Sequence, residues 1–189
     1  LGDVYKRQQI SYVNNYRSTV EIVDFVNEIR IHKELPHMVS AKNTHNKKPY
    51  IYVGNDDDIM KNIILEIFSS KCSFDEIAII GPIKRSNENR NVGLNSVANM
   101  LKNYKIPFCE HYSQGKDSVF DNQKKSIRSG HVNLYTIHGS KGLEFKKVLV
   151  INAHFATMGR KPTMVEYQEF KYLWYVAFSR AIDELTIYV

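Results

Sequence analysis

Three short clusters of polar, basic and aromatic residues carry the side chains that could do chemistry in this chain. The first is the run Asn-Asn-Tyr-Arg-Ser at residues 14–18, immediately before a segment with a helical apolar stripe. The ring of Tyr16 could stack on a nucleobase, and Arg17 beside a helix N-terminus could bind phosphate through charge-assisted hydrogen bonds. A capped helix with a surface arginine would show the same residues.

The second cluster is the run Thr-Ile-His-Gly-Ser-Lys-Gly-Leu-Glu-Phe at residues 136–145. Its glycines, Gly142 among them, permit a turn that exposes backbone amides to phosphate or hydroxyl groups. Thr136 and His138 offer hydrogen-bond donors, and Glu144 offers a carboxylate suited to a ribose hydroxyl. The cluster therefore predicts a site that recognises a phosphate-bearing or sugar-bearing ligand.

Neither cluster is a Walker A loop, which needs a glycine, four further residues and then Gly-Lys-Ser or Gly-Lys-Thr. The chain has one Gly-Lys pair, at residues 115–116. Glu110 occupies the position of the first glycine, and Asp117 follows the lysine. We therefore expect that the chain does not build a nucleoside triphosphate site by itself.

The third cluster is the run Tyr-Leu-Trp-Tyr-Val-Ala-Phe-Ser-Arg-Ala at residues 172–181. Phe170, Trp174 and Phe178 recur at helical spacing, which is typical of a helix packed on a core. The pattern places Arg180 in the last turn of this helix. There it could either interact with the helix dipole or reach a ligand beyond the helix end.

The elements that must position these clusters alternate between helix and strand. A helix is predicted from Ser18, with Ser18 as its cap and Glu21 three residues later. Alternation of this kind predicts an α/β fold, with a parallel sheet covered by helices on both faces. Strands are predicted at residues 50–53, 76–81, 106–109, 131–136, 147–152 and 184–189, and further helices at 56–70, 92–104 and 164–179.

The net charge and the composition indicate which kinds of partner, metal site and cellular compartment are to be expected. The 189 residues include 26 lysines and arginines against 20 acids, a net charge of +6 that suits a polyanionic partner. Lys124, Lys125 and Arg128 lie in a polar loop and are the candidates for contact with nucleic acid. Cys72 and Cys109 stand far apart, so we expect neither a disulfide scaffold nor a metal site. The absence of a long apolar run favours an intracellular, cytoplasmic protein.

The first eight residues, LGDVYKRQ, share no periodicity with residues 9–189. They match the translation of a transposon end used to prepare sequencing libraries, so we expect residues 1–8 not to be native and the chain to be a fragment. Residues 9–189 are then predicted to form one domain.

Taken together and in this order, the clusters resemble motifs IV, V and VI of the second motor domain of UvrD/Rep-type superfamily 1 DNA helicases. The matching strings are NYRS, TIHGSKGLEF and YVAFSRA, and the resemblance covers residues 10–189. It implies a RecA-like sheet and ATP with Mg²⁺ as cofactor, the metal being held mainly by an N-terminal motor domain absent from this chain. Where the family often inserts a large accessory domain, only a short loop at about residues 112–130 is available.

The resemblance also implies roles for single residues. Tyr16 would stack on adenine, and Arg17 would reach the terminal phosphate. Gly142 and Glu144 would belong to the ATP site, with Glu144 on the ribose. Arg180 would stabilise charge on the transferred phosphoryl group, which makes Arg180 and Arg17 the candidate catalytic residues. Motif V residues near the single-strand backbone correspond to Thr136 and His138.

The function implied is an ATP-dependent DNA helicase of DNA repair or replication that moves 3′ to 5′ on single-stranded DNA and unwinds duplex junctions. The chain alone is predicted to be inactive, because the N-terminal motor domain is its necessary partner. Two alternatives stay open: the helicase portion of a helicase-nuclease of the RecB or AddA kind, and a degenerate domain that only binds nucleic acid.

Overall fold

A six-stranded, wholly parallel sheet is the centre of the fold in the computed structural model, which describes residues 13–30, 36–82, 92–112, 127–153 and 163–189. The strands are β1 (Asn14–Asn15), β2 (Val39–Ser40), β3 (Tyr50–Tyr52), β4 (Ile77–Gly81), β5 (Phe108–Glu110), β6 (Val132–Thr136), β7 (Phe145–Val150) and β8 (Ala181–Tyr188). The helices are α1 (Val20–Ile29), α2 (Asp56–Phe68), α3 (Leu94–Asn103) and α4 (Met164–Phe178). The sheet order is β3-β8-β7-β4-β6-β5, and β1 pairs with β2 separately.

Helices cover both faces of the sheet, which confirms the predicted α/β fold. Apolar residues of α2 and α3 form one core with Ile77 and Ile79 of β4. Residues of α1 and α4 form the other core with Ala78 and Ile80 of the same strand. Because side chains alternate across a strand, a strand that is apolar at every position must be buried on both faces.

Two of the helices begin at side-chain caps. Asn55 Oδ1 accepts a hydrogen bond from the Asp58 amide at 2.9 Å, ahead of the acidic first turn of α2. At α4, Thr163 Oγ1 accepts from the Glu166 amide at 3.3 Å, and Glu166 accepts from the Thr163 amide at 2.9 Å. These bonds satisfy amides that have no partner within the helix, and so they fix where each helix starts.

The predicted role of Ser18 as the cap of α1 is wrong. The helix starts at Val20 after Thr19, and the Val20 amide donates to the backbone oxygen of Thr44 at 3.0 Å. Ser18 is 2% exposed, and its hydroxyl donates to the backbone oxygen of Ala181 at 2.7 Å. The hydroxyl therefore satisfies a carbonyl at the start of β8 instead of an amide of its own helix.

The last strand begins three residues earlier than the sequence pattern predicts, which moves Arg180 out of the helix. α4 ends at Phe178 and β8 begins at Ala181. The Phe145 amide donates to the backbone oxygen of Arg180 at 3.0 Å, so the chain joins the sheet directly after the helix. Arg180 thus lies in a tight connection between α4 and β8.

β7 contains a lysine that is 2% exposed. This residue, Lys147, forms ion pairs through Nζ with Glu66 and, at 3.1 Å, with Glu184 Oε2. Burial alone would lower the pKa of Lys147, but the hydrogen bonds and charges of the two carboxylates outweigh burial and raise it. The lysine therefore joins α2 to the middle of the sheet.

Within the described residues, none of the helices has the length and apolar character that a membrane crossing requires.

We expect Glu66→Gln combined with Glu184→Gln to lower the free energy of unfolding by about 3–5 kcal/mol, since a buried charge loses its partners. Lys147→Met removes that charge and keeps the stem, so it should cost less than about 1.5 kcal/mol. Because the folded-state pKa of Lys147 lies above its ordinary value of 10.5, the stabilisation should be complete below that value and fall as pH rises through the folded-state pKa. Urea titrations of the three proteins between pH 7 and 11 measure this, and equal losses in both variants would contradict it.

Candidate functional site

A cavity of about 540 Å³ lies where the segment 14–18 meets the amino ends of β7 and β8. Tyr16, Arg17, Glu144 and Arg180 all line it. The sheet explains why the last two are neighbours, because β7 and β8 run parallel and begin opposite each other, with Phe145 paired to Ala181. Glu144 and Arg180 directly precede these two strands.

A turn closed by a side chain presents the first two residues. Asn15 Oδ1 accepts hydrogen bonds from the backbone amides of Arg17 and Ser18, each at 2.9 Å. This Asx turn bends the chain back immediately after β1, so Tyr16 and Arg17 stand at the tip. Tyr16 is 76% exposed, and its hydroxyl accepts from Asn14 Nδ2 at 3.3 Å. Most of the ring is therefore accessible to a ligand.

Arg17 and Glu144 form an ion pair across the mouth of the cavity. Both side chains are partly exposed, and they come from segments more than a hundred residues apart in the sequence. An exposed pair of this kind contributes little to stability. It can therefore open at low cost if a ligand offers either partner a better contact.

Arg180 is held more firmly than Arg17. Its Nε donates to the backbone oxygen of Val176 at 3.0 Å, and its Nη1 donates to that of Leu143 at 3.0 Å. Nη2 donates to Ser179 Oγ at 2.9 Å. These three bonds use the fixed fork of the guanidinium, which a lysine could not reproduce. The head group is thus oriented before any ligand arrives.

The cavity concentrates positive charge. Burial lowers the pKa of Arg180, the nearby charge of Arg17 lowers it further, and Glu144 opposes both effects. An arginine stays protonated in proteins despite such a shift. Two guanidinium groups therefore lie near one carboxylate, which leaves a net positive charge in the cavity. A ligand phosphate would neutralise that charge.

The floor of the cavity is apolar. Ile22 and Val26 of α1 line it together with Met38 and with Tyr175 of α4. The Tyr175 hydroxyl lies 3.8 Å from the sulfur of Met38. An apolar floor under a charged rim is typical of small-molecule sites, in which a few polar groups fix the orientation of the ligand.

Gly142 shapes the approach to Glu144. Its φ of +85° lies in the left-handed region that favours glycine, and the following amide of Leu143 donates to the Ser140 backbone oxygen at 3.0 Å. Gly142 itself is not among the described residues that line the cavity. Its contribution in the described structure is the turn that leads into β7.

The structure does not place Thr136 and His138 with the cavity residues. Thr136 ends β6 and pairs with Gly81, the last residue of β4, so it lies at the carboxyl edge of the sheet. Its hydroxyl accepts from the Gly139 amide at 3.2 Å, and His138 is exposed. The segment 137–144 then crosses back to the amino edge, where Glu144 lies.

Of the three basic residues predicted to contact nucleic acid, Arg128 lies within the part of the chain that the structure describes. Arg128 is exposed, and its backbone oxygen accepts from the His131 amide at 3.2 Å. Arg128 precedes β6 in the sequence, so it lies towards the amino edge of the sheet, opposite to Thr136. Lys124 and Lys125 lie outside the described residues.

The described part of the cavity contains little that could bind a metal ion. Among the described residues, no group of three or more His, Cys, Asp or Glu is arranged to hold a metal. Glu144 is the sole acid among the described residues that line the cavity, and it faces Arg17.

The sequence pattern missed three residues that build the site: Asn15, Ser18 and Ser179. An Asn directly before the turn tip is a usable signal for an Asx turn. The partners of Ser179 are local, Val176 and Arg180, whereas the partner of Ser18 is Ala181, 163 positions away, which no sequence signal identifies.

Comparisons with known proteins agree on the kind of domain. Residues 117–189 match the family model for the UvrD-like helicase C-terminal domain. A protein of Acanthamoeba polyphaga mimivirus that bears the name of an ATP-dependent DNA helicase is 36% identical over 177 residues, which is 92% of this chain. The chain spans 25% of the length of that relative.

A solved structure shows the same fold. It is the C-terminal domain of a possible DNA helicase from Lactobacillus plantarum WCFS1, with a TM-score of 0.60 and 22% identity, covering 93% of this chain and 87% of that one. This likeness shows the fold, while the family match and the mimivirus relative confirm the resemblance carried by the three clusters. The family match at residues 117–189 contains two of the three clusters, those at residues 136–145 and 172–181.

Proposed function

We propose that the chain is the second motor domain of an ATP-dependent DNA helicase and that ATP binds in the cavity beside residues 14–18. The observation that carries this proposal is the convergence of Tyr16, Arg17, Glu144 and Arg180 on one cavity from three distant parts of the sequence. A partner motor domain would close the other side and would hold Mg²⁺. Single-stranded DNA, duplex junctions and 3′ to 5′ movement follow from the family resemblance.

The geometry suggests which part of the nucleotide each residue would contact. Tyr16 offers an open ring for adenine, and Glu144 offers its carboxylate to the ribose. The ribose and the terminal phosphate are separated by the triphosphate chain, so Glu144 and Arg17 must part to reach them. Arg17 and the pre-oriented Arg180 would then face the phosphates, where negative charge redistributes during phosphoryl transfer.

The chain of residues 1–189, purified alone, should fold but should show no DNA-stimulated release of phosphate. The reason is that Arg17 and Arg180 supply one half of a site whose metal and phosphate-binding loop belong to the partner domain. Steady-state phosphate release with and without single-stranded DNA measures this, and circular dichroism verifies folding. Turnover that copurifies with the chain would contradict the two-domain site.

In the protein that contains both motor domains, Arg180→Ala should lower ATP turnover by about a thousandfold or more, the range typical of an arginine at a phosphoryl transition state. ATP affinity should change much less, because Tyr16 and Glu144 hold base and sugar. Arg180→Lys should recover little turnover, since lysine loses the planar fork. Single-turnover hydrolysis and nucleotide titration on the same variants measure both quantities.

The matched control is Arg30→Ala. Arg30 Nη1 donates to the backbone oxygen of Pro36 at 2.7 Å, and Arg30 is not among the described residues that line the cavity. Arg30→Ala should lower the melting temperature and keep turnover within about threefold of the parent. If Arg180→Ala behaved like this control, Arg180 would have a structural role alone in the connection between α4 and β8.

Single-stranded DNA should bind with an affinity that falls steeply with salt and depends little on sequence, because basic side chains displace counterions. Replacing Lys124, Lys125 and Arg128 by alanine should reduce the slope of log affinity against log salt by about 2, at about 0.7 for each phosphate that is no longer neutralised. Fluorescence anisotropy across a salt series measures the slope.

A charge-matched control separates local contact from net charge. Lys47, Lys48 and Lys61 are exposed, and they precede β3 or lie on α2. Replacing these three by alanine lowers the net charge by the same amount. An equal change of slope in both triple variants would refute a DNA contact at residues 124–128.

A further inference from the structure

The turn that presents Tyr16 and Arg17 is tied to the amino end of β8 by a buried hydroxyl. Ser18 Oγ donates to the Ala181 backbone oxygen at 2.7 Å, and Ser18 is 2% exposed. The next amide, of Thr19, donates to the Ile182 backbone oxygen at 3.0 Å. Two consecutive residues of the segment are therefore fixed to two consecutive residues of the strand.

The same turn is anchored on its other side by the two-stranded sheet. Ser40 Oγ donates to the Ser18 backbone oxygen at 2.8 Å. The Ala41 amide donates to the Asn15 backbone oxygen at 2.8 Å. Asn15 closes the turn through its side chain. The carbonyl of Ser18 is thus bonded to β2, and the hydroxyl of Ser18 is bonded to β8.

These bonds set the spacing of the two arginines in the cavity. Ser18 directly follows Arg17, and Ala181 directly follows Arg180. The serine bond therefore joins the backbone beside one guanidinium to the backbone beside the other. Arg17 lies close enough for its charge to lower the pKa of Arg180, and two like charges would separate if nothing restrained their backbones.

We infer that Ser18 is a positioning residue for the proposed ATP reaction, which sets Arg17 against Arg180 through its hydrogen bond to Ala181. This inference rests on the proposed function of the cavity. Ser18 touches no nucleotide in this role and acts through Arg17. Loss of the hydroxyl leaves a buried carbonyl unsatisfied and frees the turn to shift, and a shift of about 1 Å can cost about a hundredfold in rate.

The test uses the protein that contains both motor domains. Ser18→Ala should lower kcat at least about tenfold, while KM for ATP rises less than about threefold, because geometry in the transition state suffers more than ground-state binding. Steady-state hydrolysis with saturating single-stranded DNA gives both constants. A fall in kcat of less than about threefold would overturn the inference.

Tyr188→Phe is the matched control for stability. The Tyr188 hydroxyl donates to Asn62 Oδ1 at 3.0 Å from the opposite end of β8, and Tyr188 is fully buried. Each variant loses one hydroxyl hydrogen bond that joins β8 to another segment of the chain, so both should lower the melting temperature. Only Ser18→Ala should lower kcat, and an equal kcat in the two variants would assign Ser18 a structural role.

A double variant separates this inference from the proposed function. If Ser18 acts through Arg17, then Ser18→Ala should have no further effect on kcat in an Arg17→Ala background. Independent effects that multiply would overturn the inference alone. If Arg17→Ala itself left kcat unchanged, the proposed ATP site would fail first.

Discussion

The parallel pairing of β7 with β8 from their first residues is the constraint on which the site depends. Phe145 lies opposite Ala181, and its amide bonds to the carbonyl of Arg180. This register puts Glu144 and Arg180, 36 positions apart in the sequence, at adjacent strand starts. A slip of one residue in either strand would turn side chains to the opposite face and would separate the carboxylate from the guanidinium.

Much of the fold follows from the sequence, because buried parallel strands leave a clear apolar pattern. The run from Ile77 to Gly81 has no polar position and cannot be a half-exposed strand, so it must lie between two helical layers. Element ends are harder to predict. The start of β8 at Ala181 is set by its partner strand, and Ile182 and Asp183 carry no alternation that would indicate it.

Four side chains of the candidate site were predictable, but their hydrogen-bond partners were not. The three motifs name Tyr16, Arg17, Glu144 and Arg180, and the structure brings them to one cavity. Their partners could not be predicted, because Ser18 has the side chain of a helix cap and the local sequence offers no sign of a carbonyl 163 positions away. Thr136 and His138 share a motif with Glu144, yet the motif spans the sheet and ends at the other edge.

The segment between Thr136 and Glu144 limits how far the carboxyl and amino edges of the sheet can move relative to each other. From Thr136 to Phe145 the chain must travel the length of about six strand residues, or about 20 Å, and pass over β4 on the way. Nine residues reach about 30 Å at full extension, and the turn at His138–Ser140 uses part of that reach. The connection is therefore longer than the distance it spans by less than about 10 Å. A displacement of His138 away from the amino edge that exceeds this difference would have to move Glu144 as well, so the connection sets an upper limit on how far the two segments can separate.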